Sequence, residues 1–218
     1  MQDVLKLGDL AGGVERSVNI GCVSGAAVVR AEPITDEGFG KLFTAYQRSA
    51  WRLELLPQYL IPGDIYYPAF LAGEPVPPHP EGQWWKKGEA WINTIKGNVA
   101  AGRMMGRVHV LPEQLTPYLR FEIEWGYCYD SQAGDDIRLL EAGRVADDIR
   151  KLAVQDFWVF DDRMVVLCDY KPDGTWVGGR VVSEGVDVSA FLQVRELALR
   201  EAIELKEFLA RYRAGRYA

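Results

Sequence analysis

The segment Leu115-Thr116-Pro117-Tyr118-Leu119-Arg120-Phe121-Glu122-Ile123-Glu124-Trp125-Gly126-Tyr127-Cys128-Tyr129-Asp130 carries the densest chemistry of the chain. On a regular helix, Tyr118, Glu122, Trp125 and Tyr129 stand at i, i+4, i+7 and i+11, so one face carries a carboxylate fenced by three aromatic rings. A glutamate enclosed by rings in a low dielectric has a raised pKa, which suits it to proton transfer near neutrality. Asp130 is a second candidate base. The alternative is that Glu122 pairs with a neighbouring arginine and anchors its helix to a sheet. Arg103, Arg107, Arg120 and Arg138 gather around the same segment. Several guanidiniums converging at strand ends would bind a carboxylate, sulfate or phosphate, although each can equally be solvated or locked to Glu54, Glu122 or Asp135. The expected ligand on this reading is a small anionic metabolite, held by Arg103, Arg107, Tyr118, Arg120 and Trp125.

Trp84-Trp85-Lys86-Lys87 follows a proline stretch and reads either as a ligand lid or partner-docking patch, or as packing of that loop onto the body. Of the seven tryptophans, Trp51, Trp91, Trp158 and Trp176 fit elements as packing residues, while Trp84, Trp85 and Trp125 stand beside charges and are placed in the site. Asp135-Asp136, Asp147-Asp148 and Asp161-Asp162 could hold a divalent cation, yet each sits where a turn or helix start favours aspartate. Cys22, Cys128 and Cys168 form no paired motif, so no metal site is expected. Gly21-Cys22-Val23-Ser24-Gly25 offers a thiol and a hydroxyl, but only two histidines, His79 and His109, exist to activate one, and a structural loop is the expectation. No P-loop or dinucleotide glycine pattern occurs, and no cofactor is expected.

The elements that must position these residues read as α/β. Thr35 caps a short helix through Phe39, Leu42, Phe43 and Tyr46. In the strand that follows, Trp51, Leu53 and Leu55 alternate with Arg52 and Glu54, turning the apolar side chains one way and the ion pair the other. The stretch Pro75-Val76-Pro77-Pro78-His79-Pro80-Glu81-Gly82 reads as a surface loop, with a helix after it to about Gly102. A strand at 107–111 leads to a helix from Thr116-Pro117 to about Gln132, stopped by Gly134. Strands at 137–140, 157–160, 164–170 and 176–183, a helix at 144–152 and a long amphipathic helix from Phe191 to Tyr212 complete the order. The fold class is therefore a mixed sheet with a C-terminal β-meander and a long C-terminal amphipathic helix. Its order resembles half of a phospholipase-D-like fold, without the H-x-K-x4-D array that chemistry requires. Residues 1–34, Gly-rich and containing a loose hairpin, form an N-terminal extension to a single domain over 35–218, with the proline loop at 75–82.

At 218 residues with 48% hydrophobic and 26% charged side chains, the chain can bury its own core. A net charge of −6 speaks against direct nucleic-acid or membrane-surface binding, and no apolar run approaches a bilayer span. A cytoplasmic protein is expected.

Arg52-Leu53-Glu54 with Leu56-Pro57, Leu115-Thr116-Pro117-Tyr118-Leu119-Arg120-Phe121-Glu122, Ala133-Gly134-Asp135-Asp136-Ile137-Arg138 and Asp156-Phe157-Trp158-Val159-Phe160-Asp161-Asp162 together resemble an actinobacterial domain-of-unknown-function family over about residues 40–183. Its genes often lie beside helix-turn-helix regulators and very small partner proteins. Residues 1–34 and the Trp84–Trp91 stretch depart from its pattern. The chain is also similar, more distantly, to the partner-dependent aziridine-forming proteins of azinomycin-type biosynthesis. That resemblance implies a cofactor-independent lyase or cyclase of specialised metabolism and antibiotic biosynthesis, in which an amine displaces sulfate within one molecule. Arg107 and Arg120 would hold the anion, Glu122 or Asp130 would take the proton, and a small protein subunit would assist. The competing expectation is a non-enzymatic protein that docks a regulator or small partner through the proline loop and Trp84-Trp85.

Overall fold

The computed structural model describes residues 18–20, 27–75, 82–153, 155–183 and 188–215, with the backbone alone at 18–20, 27–29 and 82–87. In chain order the elements are β1 (Val18–Ile20), β2 (Ala27–Val29), β3 (Ala31–Ile34), α1 (Asp36–Ala45), β4 (Ser49–Glu54), α2 (Tyr66–Leu71), α3 (Gly82–Ala100) and β5 (Met104–Val110). There follow α4 (Pro117–Phe121), a π-helical turn (Glu122–Gly126), α5 (Tyr127–Ala133), β6 (Asp136–Leu140), α6 (Arg144–Leu152), β7 (Phe157–Phe160), β8 (Met164–Tyr170) and β9 (Trp176–Val182). The chain then forms α7 (Ser189–Glu201), β10 (Ile203–Glu204) and α8 (Leu205–Arg213). β1 and β2 pair as a small hairpin, and the other strands form one sheet in the order β10-β6-β5-β4-β7-β8-β9-β3. β4, β5 and β6 are parallel, as strands joined through helices are, and β7, β8, β9 and β3 continue as antiparallel neighbours. The mixed sheet with its meander is thus the architecture the alternation of apolar and polar residues predicts.

Residue alternation along β4 and β5 assigns the two faces of this sheet. Trp51, Leu53, Val108 and Val110 join Phe157 and Val159 in a core covered by Ala146 and Ile149 of α6 and by Phe191, Val194 and Ala198 of α7. On the opposite face, α1 and α3 pack over Trp158 and Phe160, while Leu119, Ile123 and Tyr127 of the α4–α5 segment and Phe208 of α8 cover Ile137 and Leu139. Arg52, Glu54, Arg107 and His109 emerge on this second face.

Three features depart from the sequence expectation. Residues 31–34 pair with β9 and extend the sheet edge, Ala31 opposite Val182. The helix after Thr116 is not uniform: Tyr127 N–H bonds back to the Glu122 carbonyl, an i to i+5 step that inserts a π-turn between α4 and α5. The C-terminal amphipathic segment breaks at Ala202, which is extended, and Ile203–Glu204 pair with β6 at the sheet's other edge. The chain thereby passes around that edge. Phe191, Val194 and Ala198 serve one face, and Leu205 and Phe208 the other. One continuous apolar stripe in the sequence is two stripes in the fold.

Candidate functional site

A cavity of about 570 Å³ lies on the charged face of the sheet, under α1, α3 and the α4–α5 segment. Its floor is β4, β5, β7 and β8, which present Arg52, Glu54, Arg107, Trp158, Cys168 and Tyr170. Its roof carries Phe39 and Phe43 from α1, Trp91 from α3, and Tyr118, Glu122, Tyr127 and Asp130 from the α4–α5 segment. The rim is the loop Tyr59–Pro62, tied down where Leu60 N–H donates to the Gly174 carbonyl at 3.0 Å. Gly174 has φ +89°, and a Cβ there would stand 2.5 Å from the Gln58 carbonyl, so this closure requires glycine.

Local sequence explains how the roof is built. Thr116 accepts from Leu119 N–H at 3.1 Å as the N-cap, Pro117 occupies the first turn, and the Thr116 hydroxyl donates to Pro57 O at 2.6 Å, fixing the helix start to the loop after β4. The π-turn then changes the helical phase. On an unbroken helix Trp125 and Tyr129 would follow Tyr118 and Glu122 on one face. With one extra residue in the turn, Tyr127 and Asp130 take that face instead. The Glu122 carboxylate lies over Gly126, where a Cβ would approach Oε2 to 2.6 Å. A side chain at position 126 would force the carboxylate to shift.

Two buried guanidiniums organise the floor. Arg52 bonds Glu54 at 2.7 Å, approaches Asp156 at 3.4 Å and donates to the Tyr170 hydroxyl at 2.8 Å. Its guanidinium also lies over the Tyr59 ring at 5.1 Å and the Trp158 ring at 5.9 Å. Arg107 bonds Asp135 at 2.7 Å and Asp130 at 3.1 Å, and stands 3.6 Å from Glu54. Asp156 holds the turn after β4 through Leu55 N–H at 2.9 Å and the Tyr59 hydroxyl at 2.6 Å. Burial alone would raise Glu54, but Arg52 and Arg107 outweigh it and hold its pKa at about 2. It is a fixed anion.

Glu122 and Asp130 behave differently. Burial pushes Glu122 up to about 7; the Tyr118 hydroxyl opposes the rise, and the Glu54 and Asp130 charges add to it. Burial raises Asp130 to about 6 against the pull of Arg107, with Asp135 adding to the rise and the Trp91 N–H, 3.2 Å away, opposing it. Both carboxyls therefore exchange protons near neutrality, as the helical spacing predicts for Glu122. Cys168 on the floor is a poor nucleophile, because burial pushes its thiol well up.

Behind the wall, His109 is fully buried between two oxygen partners: Nε2 lies 2.8 Å from the Leu56 carbonyl and Nδ1 lies 2.5 Å from the Tyr127 hydroxyl. A carbonyl only accepts, so Nε2 carries the proton. Burial lowers the imidazole pKa, and the neutral ring leaves Nδ1 to accept the Tyr127 proton. The Tyr127 hydroxyl also faces Glu54 at 3.2 Å, a second acceptor for the same O–H.

The residues singled out in the sequence fall in several places. Tyr118, Glu122, Asp130 and Arg107 meet in the cavity wall. Arg103 lies before β5, bonded to the Thr44 carbonyl at 3.1 Å and to Asn98. Arg120 turns towards α8 and meets the Tyr212 hydroxyl at 3.4 Å, and Arg138 bonds Asp136. The four arginines therefore do not converge. Trp125 is buried with Phe70 and Phe121 behind the roof, whereas Trp91, Trp158 and Trp176 line the cavity. The side chains of Trp84 and Trp85, Cys22 and the proline stretch 76–81 lie outside the described residues, although the backbone at 84 and 85 is helical.

Of the acidic pairs, Asp135 is engaged by Arg107 and Asp148 pairs with Lys151, while the Asp161 carboxylate accepts the backbone N–H groups of Gln47, Arg48 and Ser49. No cluster of His, Cys, Asp and Glu among the described residues is arranged to hold a metal ion. No helix among them is long and apolar enough to cross a membrane. Arg52, Glu54, Tyr59, Tyr127 and Asp156 are site residues that sequence reasoning left out. Arg52 and Glu54 had a signal in the strand alternation.

Fold and cavity together define a mixed α/β protein with an open, largely aromatic pocket floored by charged groups on one face of an eight-stranded sheet. The chain belongs to the family described as a domain of unknown function (DUF6879), which it matches over residues 37–210. A comparison with curated proteins finds no match. Among solved structures it is similar to Nuc from Salmonella typhimurium, a phospholipase D family member, at 7% identity and a TM-score of 0.44 over 81% of this chain and 96% of that one. A likeness at that level carries no reading of function.

Proposed function

We propose that the protein is a cofactor-independent enzyme of small-molecule metabolism in which Glu122 moves a proton on a ligand held in the cavity. The observation that carries this reading is the placement of Glu122: a carboxyl in the cavity wall with no cationic partner among the described residues, brought by burial to about 7. A general base is most effective when its pKa lies near the working pH. Asp130 is the second titrating group on the same wall, and Tyr118, Trp91 and Trp158 are the aromatic surfaces that would exclude water and hold the ligand in place. The volume suits a ligand of metabolite or drug size.

The narrower reading is an intramolecular displacement in which an amine nitrogen forms a C–N bond, the C–O bond to a sulfate breaks, and Glu122 takes the amine proton. It would need a donor for the departing sulfate. Arg52 and Arg107 are both engaged by carboxylates, so the general proton-transfer reading is the better supported of the two. A small protein subunit belongs to the proposal as a partner that co-purification from source cells would identify.

The test is comparative metabolite profiling. Wild-type protein and the Glu122→Gln variant are incubated with a low-mass extract of the source organism and followed by mass spectrometry. Wild type should deplete a metabolite that the variant retains and still binds. Depletion at the same rate by both, or by neither, overturns the proposal.

A further inference from the structure

We infer that the ligand of this cavity presents a protonated amine to Glu122 and Asp130. This names the substrate class for the site assigned above and rests on that assignment. It follows from asking, atom by atom, which donors and acceptors on the wall are already committed. Each guanidinium is engaged by carboxylates: Arg52 by Glu54 and Asp156, and Arg107 by Asp135, Asp130 and Glu54. Arg52 Nε has no partner but is sealed from solvent, beyond a ligand's reach. The Trp91 N–H is committed to Asp130, the Trp176 N–H to Asp36 and the Tyr59 O–H to Asp156, and the one Tyr127 proton is held between His109 and Glu54. The donors left over are the uncharged Trp158 N–H and Tyr170 O–H and one charged group, Arg107 Nη1, 3.6 Å from Glu54.

The acceptors are in the opposite condition. Glu122 meets the Tyr118 hydroxyl but no cation. Asp130 receives both of its donors on Oδ2, which leaves Oδ1 without one among the described residues. A carboxylate ligand entering this cavity would face the Glu54 anion and find Arg107 Nη1 as its one open charged donor, too little to replace its hydration. An ammonium brings three donors to the open carboxyl oxygens of Glu122 and Asp130, and an opposite charge. The rings of Trp158, Tyr59 and Tyr127 already lie under guanidiniums in this same wall, so aromatic faces here accommodate cations.

Matched pairs of equal shape and opposite charge test the assignment on the wild-type protein at pH 7.5: phenethylamine against 3-phenylpropionate, tryptamine against indole-3-propionate, and putrescine against succinate, each by calorimetry and by shift of Tm. In at least one pair the amine should bind roughly tenfold or more tightly than its acid, the ratio expected of a single charge-assisted hydrogen bond. The double variant Glu122→Gln/Asp130→Asn, which keeps the shape of both side chains, should lose that preference. Equal or tighter binding of the acids, binding of neither member of any pair, or a preference that survives in the double variant overturns the inference. The two claims fail separately. Amine preference with unchanged turnover in Glu122→Gln removes the proton-transfer role and keeps the ligand class. Acid preference with turnover lost in that variant does the reverse.

Discussion

β4 and β5 show two different environments built on the same backbone. Trp51, Leu53, Val108 and Val110 enter a dry core in which each buried residue adds stability through area and dispersion alone. One residue along, Arg52, Glu54, Arg107 and the neutral His109 enter a network that is stable only while each charge and hydrogen bond keeps its partner. Removing one member of a buried ion pair leaves the other uncompensated, whereas trimming an aliphatic side chain leaves a void that its neighbours can partly fill. The apolar face therefore tolerates change by degrees. On the charged face, Asp135 Oδ1 is already a buried acceptor without a donor, so the network has no reserve.

Adjacent substitutions on β5 test that contrast most directly. Arg107→Met should destabilise the protein by about 3–5 kcal/mol, because Asp135, Asp130 and Glu54 lose their shared cation. Val108→Ala, on the other face, should cost about 2 kcal/mol. Chemical denaturation of both variants decides the matter, and equal losses would erase the distinction between the faces.

The next effect has the opposite sign. A carboxyl at about 7 in the folded protein and near its ordinary value when unfolded binds its proton more tightly in the fold. Its contribution is present below the unfolded pKa and is lost as pH rises through the folded one, about 3 kcal/mol in all. Glu122→Gln cannot ionise. Its Tm should match wild type near pH 4 and exceed it at pH 8 by roughly 5 °C or more, by the usual scaling for a chain of this length. A difference that is constant from pH 4 to pH 8 would show that Glu122 does not titrate in the wall.

The smallest effect concerns the cap that sets the roof. Thr116→Ala removes the bond from Leu119 N–H and the one to Pro57 O, and should cost about 1 kcal/mol in thermal or chemical unfolding. Thr116→Ser keeps the hydroxyl and should recover most of that loss.

Much of this arrangement was legible in the chain. The alternation Trp51-Arg52-Leu53-Glu54 turns the Arg52–Glu54 pair away from the apolar residues, and the i, i+4 spacing of Tyr118 and Glu122 puts a carboxyl beside a ring. The alternation did not say that the second face would also be covered, because that depends on helices brought from distant parts of the chain. Tyr127 and Asp130 were out of phase for a different reason: a 3.6-residue count continues through residues 122–126, whereas the backbone takes an extra residue there. The break at Ala202 was hidden because the apolar stripes of α7 and α8 happen to join in phase. The tryptophans changed roles because composition and neighbouring charges do not say which ring ends up beside an empty volume.

The π-turn also has a genetic meaning. Deleting one codon between Ile123 and Trp125 would remove the residue that the turn holds in excess and restore an even helix, and Tyr127 and Asp130, then four and seven residues after Glu122, would stay on the cavity face. Straightening the turn with all its residues kept would instead rotate everything after it by about 100° and carry both away from His109, Arg107 and Trp91. The extra residue is thus an insertion that the helix absorbs within one turn, leaving the side chains on both sides of it in register with the site.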